Sequence, residues 1–134
     1  MRHPPLGILK KIFAKYSGIQ AVYLFGSCAY GRNHAESDLD LALLADDPKL
    51  RGRKIDILAE LAADGFCNVD LVFLPDNDIL LQYEALRLNR LVYRRPDFDS
   101  ASKFSLVVRR YLDFRPYLNV QRKAYKQRAL NGQA

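Results

Sequence analysis

Apolar residues recur along this chain with two alternating periods, and together they predict a mixed α/β protein. Residues 5–17 place Leu6, Ile8, Leu9, Ile12, Phe13 and Tyr16 on one helical face, while Lys10, Lys11 and Lys15 fall largely elsewhere. This spacing predicts an amphipathic helix ending near Gly18. Residues 20–25 are a short apolar run with Val, Tyr and Phe that stops at a glycine, which predicts a first strand. From Leu39 to Leu44 a period of two sends Asp38, Asp40 and Ala42 to one face and Leu39, Leu41 and Leu43 to the other, a second strand. Asp46-Asp47-Pro48 reads as a helix start, with proline in the first turn and acid at the positive end of the dipole. That helix carries Leu50, Ile55, Ile57, Leu58 and Leu61 and stops at Gly65, with Gly52 weakening its first turns. In residues 67–74, Val69, Leu71 and Phe73 alternate with Asp70 and Val72, giving a third strand.

Asp76 to Asp78 is a turn and cap, after which Ile79, Leu80, Tyr83, Leu86 and Leu88 predict a helix to about Asn89. Leu91-Val92-Tyr93 is a candidate edge strand. Residues 98–130 form a long helical segment with Phe104, Val107, Val108, Tyr111 and Leu112 on one stripe. Pro116 is expected to interrupt or kink it and leave Tyr117 to Ala129 as a second basic helix. The expected architecture is a small mixed sheet of three to four strands flanked by helices, with a long C-terminal helical segment.

Length and composition narrow the class. A chain of 134 residues suits one domain, with a core over about 5–95 and a basic helical arm over about 98–130. Its 49% hydrophobic and 27% charged content is that of an ordinary globular protein. With no apolar run of about 18 residues and no signal-peptide pattern, the expected location is the cytoplasm, away from membranes. Cys28 and Cys67 are too few for a disulfide framework or a metal knuckle, and are expected as buried, reduced thiols. The net charge of +6 is uneven: residues 1–20 carry +4, residues 21–98 carry −4 and residues 99–134 carry +6. The positive charge therefore lies in the terminal arms, around an acidic middle. Nucleic acid is a conceivable partner for the basic arm, where Tyr111, Phe114, Tyr117 and Tyr125 are interleaved as stacking candidates, but core packing or a solvated helix face accounts for these residues equally well.

The acidic middle holds the candidate chemistry. Asp38, Asp40 and Asp70 lie in or at the ends of apolar strands, where an ionised side chain is costly unless it is paired or bound to a cation. Strand neighbours two apart project the same way about 6.5–7 Å apart, so Asp38 and Asp40 are spaced to reach metal ions roughly 3.5–4 Å from each other. Hard oxygen ligands of this kind select Mg²⁺ or Mn²⁺. Upstream, Gly26-Ser27 closes the first strand. There a glycine admits phosphate to the backbone, and exposed N–H groups with the Ser27 hydroxyl can hold anionic oxygens. No Walker lysine follows and the spacing is not that of a dinucleotide fingerprint. His34, between the two motifs, reads as a solvated loop residue.

These residues resemble the signature of the DNA polymerase beta superfamily of nucleotidyltransferases: Gly26-Ser27, the ten residues Cys28 to Ser37, then Asp38-Leu39-Asp40, with Asp70 as the expected third carboxylate. Within it the chain is similar, over essentially its whole length, to the minimal nucleotidyltransferase (MNT) group, whose fuller pattern Gly26, Ser27, Ala29, Gly31, Ser37, Asp38, Asp40 and Leu41 fit. One departure is Tyr30, where members often carry arginine. Arg32, just after Gly31, is the candidate substitute for a phosphate contact.

The resemblance implies a polymerase-beta-like fold and transfer of AMP from ATP with release of pyrophosphate. Asp38, Asp40 and Asp70 would serve as metal ligands and catalytic carboxylates for two Mg²⁺ ions, and Gly26, Ser27 and Arg32 would hold phosphate. Many members of the group look like antitoxins of HEPN ribonuclease toxins, which they inactivate by placing AMP on a tyrosine hydroxyl. The expected function is therefore a protein adenylyltransferase antitoxin whose partner, a HEPN-domain toxin, completes the acceptor site. A small-molecule nucleotidyltransferase of the aminoglycoside-modifying kind and a non-catalytic antitoxin that neutralises by binding are the alternatives.

Overall fold

The computed structural model describes residues 5–25 and 39–130, with side chains through residue 116. Four strands, β1 (Ile19–Phe25), β2 (Leu39–Ala45), β3 (Val69–Phe73) and β4 (Leu91–Arg94), form one sheet in the order β3-β2-β1-β4. β1 pairs antiparallel with both β2 and β4, while β2 and β3 run parallel. A parallel pair needs a crossover, which is supplied by a 3-10 helix (Pro48–Arg53) continuing into α2 (Lys54–Ala63). The remaining helices are α1 (Gly7–Phe13), α3 (Ile79–Leu86) and α4 (Ser100–Leu130). No described helix is long and apolar enough to cross a membrane.

The period of two in the strands divides the core into two layers. On one face Ile19, Val22 and Leu24 of β1 and Leu39, Leu41 and Leu43 of β2 meet Leu9, Ile12 and Phe13 of α1 and Ile57 and Leu61 of α2. On the other, Ala21 and Tyr23 of β1 and Ala42 and Leu44 of β2 meet Ala85 and Leu86 of α3 and Val107 of α4. Helices thus cover both faces, and the side chains of even-numbered β2 residues point to the α3–α4 side.

Local chemistry fixes the joints. The Asp47 carboxylate caps the 3-10 helix by accepting from the Lys49 amide at 3.0 Å, and Asp78 caps α3 through the Leu81 amide at 3.0 Å. Gly65 ends α2 at φ 97°, and the Phe66 amide returns to the Leu61 carbonyl at 2.8 Å, the closure that a left-handed glycine permits. α1 and α2 are clamped by Glu60, which accepts from the Tyr16 hydroxyl at 2.8 Å and pairs with Lys15 at 3.1 Å. Arg53 lies over the Tyr16 ring, 5.2 Å from its centre. Burial, the Glu60 hydrogen bond and the Glu60 charge push the Tyr16 hydroxyl up to about 12, while the hydrogen bonds from Tyr16 and Lys15 hold Glu60 below its ordinary value. A lowered carboxylate adds stability above pH 4.5 that disappears as pH falls through the folded value; a raised phenol adds stability below pH 10 that disappears as pH rises through about 12. Tyr16→Phe is therefore expected to move the acid unfolding midpoint to higher pH and to make the alkaline loss shallower, as read by circular dichroism against pH in fixed denaturant. An unchanged acid limb would show that the clamp does not couple to folding.

Several sequence expectations are corrected. The segment after Pro48 is not one helix: Gly52 lies within six residues of 3-10 structure, and α-helix begins only at Lys54. Ile55, one of the apolar residues of the predicted helix, is 79% exposed. Cys67, expected as a buried thiol, is exposed and free, because it precedes β3 instead of pointing from it. Pro116 neither ends α4 nor splits off a second helix, and the element runs through it over 31 residues. Proline removes one amide donor, and here it sits on an exposed stretch where water can take the orphaned carbonyl. Of the predicted α4 stripe only Val107 is buried, and Leu112 is 50% exposed. Tyr111 instead stacks on Tyr83 of α3, with ring centres 3.6 Å apart and planes 6° from parallel.

Tyr23 is the odd member of the second layer. Its ring is fully buried, and among the described residues its hydroxyl has no hydrogen-bond partner. Burial alone pushes the hydroxyl up to about 12. An unsatisfied buried hydroxyl costs roughly 1–3 kcal/mol, so Tyr23→Phe is expected to leave stability unchanged or raise it by about 1 kcal/mol. A urea titration checks this, and a clear loss would mean that the hydroxyl is satisfied.

Candidate active site

β1 ends at Phe25, the residue before Gly26-Ser27, and Phe25 is the register partner of Asp40 on β2. Asp40 is in turn the register partner of Asp70 on β3. Phe25, Asp40 and Asp70 therefore form one row across the same end of the sheet. Neighbouring strands lie about 4.8 Å apart, so the two carboxylates leave their backbones at that spacing and on the same face. The face is set by the alternation: Leu39 and Leu41 pack into the α1–α2 layer, which turns Asp40 to the α3–α4 side, and Leu71 does the same for Asp70.

The two carboxylates differ in their surroundings. Asp40 is half-buried, on a strand with neighbours on both sides, whereas Asp70 is exposed on a strand at the sheet's edge. The expectation that Asp70 pays a burial penalty is therefore wrong. Its strand reads as core only because Val69, Leu71 and Phe73 pack inward on the other face. What the register shows instead is two carboxylates side by side on one face of neighbouring parallel strands. Two hard carboxylate oxygens donors on one face fit Mg²⁺ or Mn²⁺ by their chemistry. Among the described residues there is no group of three acidic, histidine or cysteine side chains able to hold a metal. Asp38, the third expected ligand, lies outside the described residues, as do Gly26, Ser27 and Arg32. Cys28 and His34 also lie there, and the side chains of Tyr117 and Tyr125 are likewise not described.

Asp40 and Asp70 are thus brought together, and this adjacency was not available from spacing alone. A cavity of about 790 Å³ lies elsewhere, at the far ends of β2 and β3, beside Ala45, Asp47, Phe73, Asp76 and Lys103. From Asp40 to Ala45 the strand covers roughly 16 Å, so this cavity is not part of the carboxylate row.

Comparison with known proteins agrees with this geometry. Residues 8–98 match the family described as Polymerase beta, Nucleotidyltransferase. A segment of 74 residues is 36% identical to protein adenylyltransferase MntA of Shewanella oneidensis and covers 55% of this chain and 53% of that protein. The match thus spans about half the length of that relative. Among solved structures, one described as a toxin–antitoxin with AMP-PNP superposes with a TM-score of 0.68 at 23% identity, covering 92% of this chain and 96% of that chain. Another, a tri-AMPylated Shewanella oneidensis HEPN toxin in complex with MNT antitoxin, gives 0.65 at 20% identity over 93% and 95%. At these identities the likeness is one of fold.

Proposed function

The chain belongs to the polymerase beta nucleotidyltransferase family, and on that footing we propose that it transfers AMP from ATP to a hydroxyl, a tyrosine side chain, of a partner HEPN ribonuclease toxin and so acts as its antitoxin. The observation that carries the reading is the register of Asp40 with Asp70, beside the strand end that leads into Gly26-Ser27. The named activity of the Shewanella relative and the toxin complexes that share the fold, one with an ATP analogue and one with an AMP-modified toxin, support the choice of donor and partner.

In this reading Gly26 and Ser27 offer backbone amides and a hydroxyl to the triphosphate, and Arg32 adds a cation to the same phosphates. Asp38, Asp40 and Asp70 would hold two Mg²⁺ ions, with Mn²⁺ as a chemically suitable substitute, and when bound such ions would supply charge neutralisation for the triphosphate and a lower pKa for the acceptor hydroxyl. The acceptor oxygen attacks the α-phosphorus, the bond from that phosphorus to the bridging oxygen of the β-phosphate breaks, and pyrophosphate leaves. The acceptor proton passes to the Asp70 carboxylate, whose exposure leaves it open to an incoming group.

Incubation of the chain with α-labelled ATP, Mg²⁺ and the purified toxin is expected to place label on the toxin, with the modified tyrosine found by mass spectrometry. If no label reaches the toxin, and Asp38→Asn with Asp40→Asn still protects cells from it, the enzymatic reading is wrong and the chain acts by occlusion. If label appears on small hydroxylated antibiotics and not on the toxin, the acceptor is a small molecule.

A further inference from the structure

β3 is an edge strand of the described sheet, and among the described residues no strand pairs with its outer side. The Leu39 amide donates to the Asn68 carbonyl at 2.8 Å, and the Leu74 amide donates to the Leu43 carbonyl at 2.9 Å. Even-numbered residues of β3 therefore turn their backbone groups toward β2. By the period of two, Val69, Leu71 and Phe73 turn their N–H and C=O groups outward. Among the described residues no backbone hydrogen bond reaches them on that side.

Sheet edges are ordinarily blunted by charge, proline, a bulge or shortness. β4, the opposite edge, shows all four: it has four residues, carries Arg94, is followed by Arg95 and Pro96, and its pairing with β1 includes a register shift. β3 is blunted less. Its five residues pair with β2 without a break and residues 67–74 contain no lysine or arginine, so that its protection is limited to the charge of Asp70 and to Pro75 just beyond the strand. The less protected edge is thus the strand that carries a carboxylate of the candidate site, and its outer side borders the row Phe25–Asp40–Asp70.

We propose that β3 is the acceptor-docking edge: an extended segment of the protein substrate adds to it as a fifth strand and presents its acceptor hydroxyl beside Asp70. This rests on the transferase reading above and deepens it. A residue added opposite Asp70 lies about 4.8 Å from it across the ladder and projects from the same face. Its side chain then stands in line with Asp70 and Asp40. The hydroxyl oxygen forms the new bond to the α-phosphorus, pyrophosphate departs, and the proton has Asp70 as its nearest carboxylate. Main-chain pairing supplies affinity independent of sequence, while alternation decides which side chains reach the site. The accepted residues are accordingly those in tails and loops able to become extended, and hydroxyls locked in helices are refused.

Backbone hydrogen exchange tests this on the intact chain. With purified HEPN toxin and α,β-methylene-ATP, which cannot be cleaved at the transferring bond, the amides of Val69, Leu71 and Phe73 are expected to exchange at least about tenfold more slowly than in the free chain. Val69→Pro provides the functional arm. The Val69 amide faces away from β2 and the residue opens an edge strand, so proline is tolerated there. One pairing bond is lost and the ring obstructs its neighbours. The KM for the toxin is expected to rise about tenfold with kcat nearly unchanged, while ATP binding stays as in the parent and the lost Val69 packing lowers the unfolding midpoint by a few degrees at most. Should Val69→Pro unfold, the exchange measurement on the parent chain decides alone. Label transfer by the parent with unaltered exchange at these three amides overturns the inference and leaves the transferase reading standing. Protection that appears without toxin and grows with chain concentration assigns the edge to a second copy and overturns it as well. If the parent transfers no label at all, the transferase reading falls and takes this inference with it.

Discussion

Asp40→Asn is expected to lower AMP transfer by about a thousandfold and to leave the protein folded. The loss follows from position. Asp40 is the middle member of the row, in register with both Phe25 and Asp70, so no other described side chain can take its place. Mg²⁺ should stabilise the parent by binding the folded chain, and the Asn variant much less. Calorimetry with and without Mg²⁺, beside labelled-ATP transfer, reads both effects. Activity within tenfold of the parent would remove Asp40 from the site.

Leu41→Ala is expected to cost about 3 kcal/mol, a large share of the 5–15 kcal/mol typical of a domain. Leu41 is fully buried in the α1–α2 layer, on a strand flanked by β1 and β3. Truncation there leaves a cavity against helices that are already packed on both sides of the strand. A midpoint lower by about 10 °C should be visible by thermal unfolding. Transfer at low temperature should survive, because the carboxylates point to the other face. A cost below about 1 kcal/mol would mean that the layer collapses into the gap.

How much of this was legible beforehand depended on how local the signal was. Strand β2 announced itself through period two: Leu39, Leu41 and Leu43 pack in one layer and Ala42 and Leu44 in the other, although both sets are buried. The helices around Phe13 and Leu61 were readable because their apolar residues meet one sheet face. α4 was harder. Much of its described surface faces solvent, so a stripe drawn through Leu112 had no core to correspond to, and its anchor, the Tyr83–Tyr111 stack, depends on a partner helix that sequence does not place. Asp40 and Asp70 were each recognisable as carboxylates in strands. A shared site for them was expected from the family resemblance, but the register that pairs them was not readable, since the parallel pairing spans a crossover whose geometry is nonlocal. Nor did the sequence distinguish the half-buried carboxylate from the exposed one, because that difference comes from strand order.

That crossover has a consequence for synthesis. β1 and β2 are antiparallel neighbours in sequence and in space, so they can pair as soon as they leave the ribosome. Asp70 emerges thirty residues after Asp40, and only when β3 reaches the far side of β2 do the two carboxylates meet. A nascent chain that has released β2 but not β3 already owns half of its sheet and none of its paired site. If the partner is a toxin made at the same time, the interval needed to translate and seat β3 is a period in which the toxin has no working counterpart.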